Sequence, residues 1–424
     1  MCPGAPADRM WDHWYSAGGP VACAAVGMHS DRRRRRPRGF WVVWTTVALD
    51  LVGFGIVIPV LPLYAEDYGA SPAVATAVLA TFSAFQMAAA PLWGRLSDRV
   101  GRKPVLIVAL VGSAAGSLVT GMAGALWVLF LGRALDGASG SSYAVGQAAV
   151  ADLAGPADRP RLLGLLAAAF GLGFVVGPLI GSLAALGSRE LPFYVAAGLA
   201  GANALVATVR LPSGSATAAA SGPDRLGPLA ALGGAGRATR RLALLAFVGM
   251  VGFAGFESTF AMLLDRRFPQ LDDPSIYGLF ASIGLVMVLV HTRLVGPAND
   301  RLGTSGALRV SLCLVGIGML VLALGGAWVG LTVALLLLVL GQGMFGPTLS
   351  AATVESVGAD ARGAALGLQQ SAGALGRIVG PLGAGVLFGR VATGAPYLAG
   401  ALLAASAILL VDGQAGEEAS VTGR

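Results

Sequence analysis

Charge is scarce in this chain: only 12% of its 424 residues are Asp, Glu, Lys or Arg, against about 25% in an ordinary soluble domain. Histidine and cysteine are scarcer still. His13, His29 and His291 lie too far apart in sequence to suggest a metal site, and Cys2, Cys23 and Cys313 give neither metal-ligand spacing nor a disulfide framework. No G-x-x-x-x-G-K-[ST] phosphate loop is present, which argues against nucleotide-driven work within this chain. Neither a nucleophile with an evident base nor a metal cluster is visible, so the chain does not read as an enzyme and calls for no cofactor. A long apolar run is also missing before Phe40. Val21 to Val26 is too short for a signal-peptide core, and residues 1–38 read as a disordered basic tail.

What the chain has in quantity is apolar length. Hydrophobic residues make up 55% of it, and the mean hydropathy is +0.74. They come in blocks of about 20 residues, enough for a helix to cross about 30 Å of hydrocarbon. Backbone in lipid must satisfy its own hydrogen bonds, and the dyad alternation of a β-barrel is absent, so the blocks are helical. Twelve spans are expected near 39–64, 72–93, 104–123, 125–150, 162–185, 191–209, 242–264, 275–295, 306–325, 327–354, 363–388 and 394–411. The expected fold is an all-α membrane protein.

The basic balance, net charge +7 and pI about 9.8, reads as topology rather than as a nucleic-acid footprint. With the N-terminus cytoplasmic, the inner segments hold the Arg32–Arg36 run, Arg95, Arg99, Arg102, Lys103, Arg240, Arg241, Arg293, Arg301 and Arg362, among others. The opposite connections hold only Arg189, Arg266, Arg267 and Arg390. That bias puts both termini on the cytoplasmic side of the plasma (inner) membrane.

The spans fall into two groups of six. A stretch rich in Ala, Gly, Ser and Pro separates them and reads as a flexible cytoplasmic linker over 211–240. The expected organisation is a six-helix bundle over 39–210, a second over 241–412, and a cytoplasmic tail over 413–424. Gly94-Arg-Leu-Ser-Asp98-Arg99-Val-Gly101 follows the second span, and Gly296-Pro-Ala-Asn-Asp300-Arg301-Leu-Gly303 follows the eighth; the shared positions lie 202 residues apart. Gly173-Phe-Val-Val-Gly177-Pro178 in the fifth span matches Gly376-Arg-Ile-Val-Gly380-Pro381 in the eleventh, at an offset of 203. Six being even, the halves have the same orientation, which is a parallel repeat about an axis along the membrane normal.

Gly94 through Gly101, continued by Arg102-Lys103, resembles the signature loop of the major facilitator superfamily, and the resemblance extends over all twelve spans. It implies a transporter working by alternating access. It also implies that Gly94, Asp98, Arg99, Gly101, Arg102 and Lys103 latch one conformation, with Asp300 and Arg301 as the second copy. Thr304-Ser305 replaces the basic pair there, which implies a weaker second latch. Gly173, Gly177, Pro178 and Gly181, ending in Ser182, resemble the motif of the superfamily's proton-coupled antiporters. By themselves, glycines at i, i+4 and i+8 make a smooth face for close helix packing, and Pro178 bends the span. Leu49-Asp50-Leu-Val-Gly53-Phe-Gly55 through Pro59 and Pro62 resembles the opening span of drug/proton antiporters, including tetracycline and multidrug exporters.

Five ionisable residues lie well inside spans: Asp50, Arg133, Asp136, Glu257 and Arg377. Each costs about 2.5–3.5 kcal/mol at a helix centre on insertion scales, so each should face a cavity or a partner. Asp50, about 16 Å into its span at 1.5 Å per residue, is the leading proton-coupling candidate. Glu257 is the second, or a contact for a cationic substrate. Arg133 and Asp136, at i and i+3, share a helix face and form either a relay or substrate pair or a self-neutralising pair that fixes the bundle. Arg377 has no counterpart in the fifth span; it either neutralises Glu257 or faces an anionic substrate group. Gln86, Gln342, Gln369 and Gln370 either line the cavity or bond helix to helix.

The reading is a proton-driven exporter of a small, partly apolar compound, working as a monomer with the lipid bilayer around it, a small molecule as its partner and protons as coupling ion. Two alternatives stand beside it: a symporter or uniporter importing a nutrient, and a non-transporting membrane sensor or scaffold.

Overall fold

The computed structural model describes residues 39–154, 158–211, 236–358 and 361–422. The expected basic tail over 1–38 and most of the expected linker lie outside them. Among the described residues there are fourteen helices and no strand, and they resolve into twelve spans because two spans are broken.

The first span is α1 (Phe40–Val57) and α2 (Leu61–Asp67). Pro59, which lacks an N–H to donate, lies at the break between them. The second and third are α3 (Pro72–Val100) and α4 (Arg102–Gly121). The fourth is α5 (Leu126–Ser139) and α6 (Ser142–Leu153), interrupted at Gly140-Ser141, and α7 (Arg159–Ala185) and α8 (Leu191–Arg210) complete the half. The second half follows with α9 (Arg237–Arg267), α10 (Asp273–Arg293), α11 (Val295–Leu324), α12 (Trp328–Glu355), α13 (Arg362–Arg390) and α14 (Ala395–Thr422). Helix α9 thus takes in Arg237–Arg240 from the end of the expected linker, and α14 carries the chain helically past 412 into the expected tail.

The internal repeat is visible in the backbone. Gly101 (φ 96°) separates α3 from α4, and Gly303 (φ 67°) kinks α11 at the matching place 202 residues on. Both occupy the left-handed region that disfavours any residue with a Cβ. Packing repeats as well. In the first half α1 packs on α7 and α8, and α4 on α5 and α8; in the second α9 packs on α13 and α14, and α11 on α12 and α14. The two largest contacts between the halves, α3 with α13 and α7 with α10, exchange under the same two-fold relation, and α9 also touches α2 and α3.

Apolar side chains are buried differently at the two ends of the spans. On the side where α2 and α9 end, one core is built from both halves: Val52, Ile56, Tyr64 and Phe193 with Phe256, Phe260, Leu264 and Phe388. Toward the side where α1 begins, each half has its own core. Phe40, Val47, Leu106, Val150 and Leu166 form one, and Leu242, Leu308, Phe345 and Leu349 the other. The halves are therefore sealed together at the far end and packed separately at the terminus end.

Candidate translocation cavity

Between the halves lies a cavity of about 30 Å³ lined from α1, α3 and α5 by Phe54, Phe82, Ser83 and Arg133, and from α9 and α13 by Ala254, Glu257, Ser258, Arg377 and Pro381, among others. Close backbone packing puts the second-half charges there. A Cβ on Gly376 would meet the Phe247 carbonyl oxygen at 2.8 Å, and one on Gly380 would meet the Gly255 nitrogen at 3.1 Å. Glycine thus lets α13 lie against α9, and Glu257 and Arg377 line one space and act on each other electrostatically.

Arg133 enters from the first half. Its Nη2 lies 2.7 Å from Asp136 Oδ2, with the two side chains 1% and 7% exposed. Ser113 Oγ donates to Asp136 Oδ1 at 2.6 Å, and the guanidinium lies 5.8 Å from the Phe82 ring centre. Phe82 in turn packs on Phe54, centroids 4.8 Å apart. The cavity therefore carries two guanidinium groups, one carboxyl and an aromatic pair. Asp136 offsets Arg133 from behind.

Asp50 is not among the cavity-lining residues. Its carboxyl accepts a hydrogen bond from Ser142 Oγ, at the start of α6 where the fourth span resumes. The remaining polar residues divide. Gln86 Nε2 donates at 2.8 Å to the carbonyl of Gly140, in the break between α5 and α6, so it serves the unwound backbone rather than the cavity. Gln342 lines a separate, mostly apolar cavity within the second half with Phe253, Phe256 and Met287. Gln369 Nε2 donates to Ser350 Oγ at 3.2 Å. Gln370 and Gln147 both hydrogen-bond the Tyr143 hydroxyl, a polar link between α6 and α13.

The glycines of the fifth span face α1. A Cβ on Gly173 would lie 2.7 Å from Leu51 backbone atoms, one on Gly177 2.6 Å from Gly55 Cα, and one on Gly181 would strike the Ile56 carbonyl. Pro178 lies inside α7, and the Ser182 hydroxyl donates back to its carbonyl at 2.5 Å.

At the α3–α4 turn, Arg102 Nη1 binds Asp98 Oδ1 at 2.6 Å and Ser97 Oγ at 2.6 Å, while its Nε binds Asp152 Oδ2 at 2.9 Å. Lys103 Nζ donates to the Leu211 carbonyl at 3.0 Å. Gly94 and Arg99 lie in the last turns of α3. The second half repeats this design in weaker form. Thr304, equivalent to Arg102, donates to Glu355 Oε2 at 2.9 Å, and Glu355 is the equivalent of Asp152 at offset 203. Asp300 and Arg301 are exposed ahead of the Gly303 kink. Asp152, Glu355, Ser113 and Ser142 were not singled out in the sequence; the constant offset was the signal available for the first two.

The sequence profile of the Major Facilitator Superfamily matches residues 43–381 and, in a second match, 273–419. The chain belongs to this superfamily. It is 31% identical over 367 residues to the class G tetracycline resistance protein of Vibrio anguillarum, covering 84% of this chain and 93% of that one. Among solved structures, the human organic anion transporter MFSD10 (TETRAN) superposes with a TM-score of 0.67 at 25% identity, covering 88% of this chain and 99% of that one. The nucleoside transporter NupG gives 0.67 at 14% identity, over 88% and 97%, a likeness of fold alone. As a superfamily member the chain is a multi-pass membrane transporter of a small molecule and not an enzyme, and its twelve spans form the superfamily's two bundles.

Proposed function

We propose that this transporter is a proton-coupled antiporter that exports a small, partly apolar compound across the inner membrane, acting as a monomer with both termini cytoplasmic. The observation that carries the reading is the cavity between the halves, where Glu257, Arg377 and Arg133 share an apolar space with Phe54 and Phe82. Such charges are costly in a membrane and persist where they bind, relay or balance charge. The export direction draws on the likeness to tetracycline resistance proteins.

The basic residues mark the terminus side as cytoplasmic, so the state described is sealed on the outside. A cavity of about 30 Å³ is far below the 300–1,000 Å³ of drug-sized sites, and substrate is admitted when the separately packed inner ends part. Protons reaching Asp50 from outside discharge its carboxylate, and the substrate competes with a proton for Glu257. Arg102 with Asp98 and Asp152 acts as the inner latch, and the Gly173–Gly181 face is the joint on which α7 bears against α1.

Reconstitution into liposomes with an imposed proton gradient, using tetracycline as the first compound of a panel, tests the reading. Gradient-driven uptake into inverted vesicles is expected in the wild type and lost in Asp50→Asn and Glu257→Gln. Unchanged transport in both variants overturns the coupling assignment, and substrate and proton moving in the same direction overturns antiport.

A further inference from the structure

The break in the fourth span lies beside Asp50. Helix α5 ends at Ser139 and α6 starts at Ser142. Between them Gly140 donates to the Gly137 carbonyl, and its own carbonyl accepts from Gln86 Nε2 at 2.8 Å. The first two residues of α6 then reach to different partners. Ser142 Oγ donates to the Asp50 carboxyl on α1, and the Tyr143 hydroxyl accepts from Gln370 on α13, in the other half. Gln370 precedes Arg377 by seven residues on α13, about 10 Å nearer the inner end at 1.5 Å per residue. The bond to Tyr143 therefore joins the halves on the inner side of the cavity. Further along α6, a Cβ on Gly146 would meet Val47 Cγ2 at 2.5 Å, and Ala149 and Val150 are buried in the inner core of the first half. The rest of α6 is thus anchored on α1, and its first turn lies between that anchor and the break.

We propose that the first turn of α6 couples Asp50 to the inner end of the transporter: Ser142 fixes the turn to the Asp50 carboxylate, and Tyr143 holds Gln370 only while the turn is fixed. An ionised acceptor makes a hydrogen bond about twice as strong as a neutral one. Protonation removes that charge, so the turn loosens, Tyr143 parts from Gln370 and the inner end opens. This order suits export. A proton taken up from outside opens the inner end and leaves there, and the ionised Asp50 draws the turn back and closes that end behind the substrate. Among the described residues, the charged group acting on Asp50 is Asp136 on α5, itself paired with Arg133, and none on α6, α7 or α8 does so. Arg377 on α13 acts on Tyr143. The inference rests on Asp50 being the coupling carboxyl; Ser142 and Tyr143 are positioning residues that act through it and through Gln370.

The test reads inner-end opening with neither gradient nor substrate. Ala374, one turn on from Gln370 toward the cavity, is replaced by cysteine in the full chain with Cys2, Cys23 and Cys313 changed to serine. A membrane-impermeant maleimide is applied to inside-out vesicles at equal pH on both sides, and rates are normalised to a cysteine at the exposed Arg301 position. Acidification should speed labelling of the otherwise wild-type chain. Ser142→Ala and Tyr143→Phe should label about fivefold faster at high pH, the worth of one net hydrogen bond, and should lose the pH response, as should Asp50→Asn. Ser142→Thr, which keeps the hydroxyl, should retain it. Tyr143→Phe added to Asp50→Asn should change nothing further, because both act on one link. Additive effects, or a pH response that survives Ser142→Ala and Tyr143→Phe, overturn the coupling. So does labelling that ignores pH in a chain whose gradient-driven transport is abolished by Asp50→Asn, a result that leaves the antiporter reading standing. Normal gradient-driven transport by Asp50→Asn instead overturns that reading and the coupling with it.

Discussion

Glu66 and Arg266, at the ends of α2 and α9, meet across the two halves: Arg266 Nη2 lies 2.8 Å from Glu66 Oε1, and their opposite charges make the contact favourable. The Arg266 guanidinium also lies 4.9 Å from the Phe388 ring centre, and Arg189 holds the adjacent Asp67 at 2.5 Å. The pair closes the far end over the shared apolar core. Glu66→Arg or Arg266→Glu should open that end, and the double exchange should close it again. A partly exposed pair contributes about 0.2–1 kcal/mol, a shift of up to about fivefold. Labelling of cysteines placed below the pair measures it.

Gly177→Ala places a methyl group 2.6 Å from Gly55 Cα and should cost about 1–3 kcal/mol as overpacking. Gly53→Ala, with nothing within 4 Å of its Cβ, should stay within about 0.5 kcal/mol. Denaturation of the purified protein distinguishes them.

Arg133 is 1% exposed and depends on Asp136. Asp136→Asn removes the countercharge and should cost about 3–5 kcal/mol, whereas Arg133→Met/Asp136→Leu should fold about as well as the wild type or better. Under the proposed function, the double variant should still lose transport. Folding yield and transport assays together separate the two effects.

Thr304→Arg should give the second half the ion pair that Arg102 makes with Asp152, now with Glu355. Its effect on transport rate should be modest, because the pair is exposed and worth about 1 kcal/mol or less. Arg102→Ala, which loses Asp98, Asp152 and Ser97 together, should slow transport more than Thr304→Ala. Parallel rate measurements decide it.

The spans were legible because bilayer thickness sets a length that any apolar helix must meet, and the repeat was legible because glycines with positive φ and Gly-Pro motifs are hard to replace. Glu66 and Arg266 lie in different halves, and no linear pattern displays that they touch. Sequence alone determined a membrane protein of twelve helices in two parallel halves with five intramembrane charges. Only tertiary structure decided which of those charges meet: Glu257, Arg377 and Arg133 share a cavity, Asp50 turns to Ser142, and Gln86 serves a broken helix. The physical reason is range: periodicity and span length are local, whereas a cavity is defined by helices hundreds of residues apart that glycine allows to pack closely.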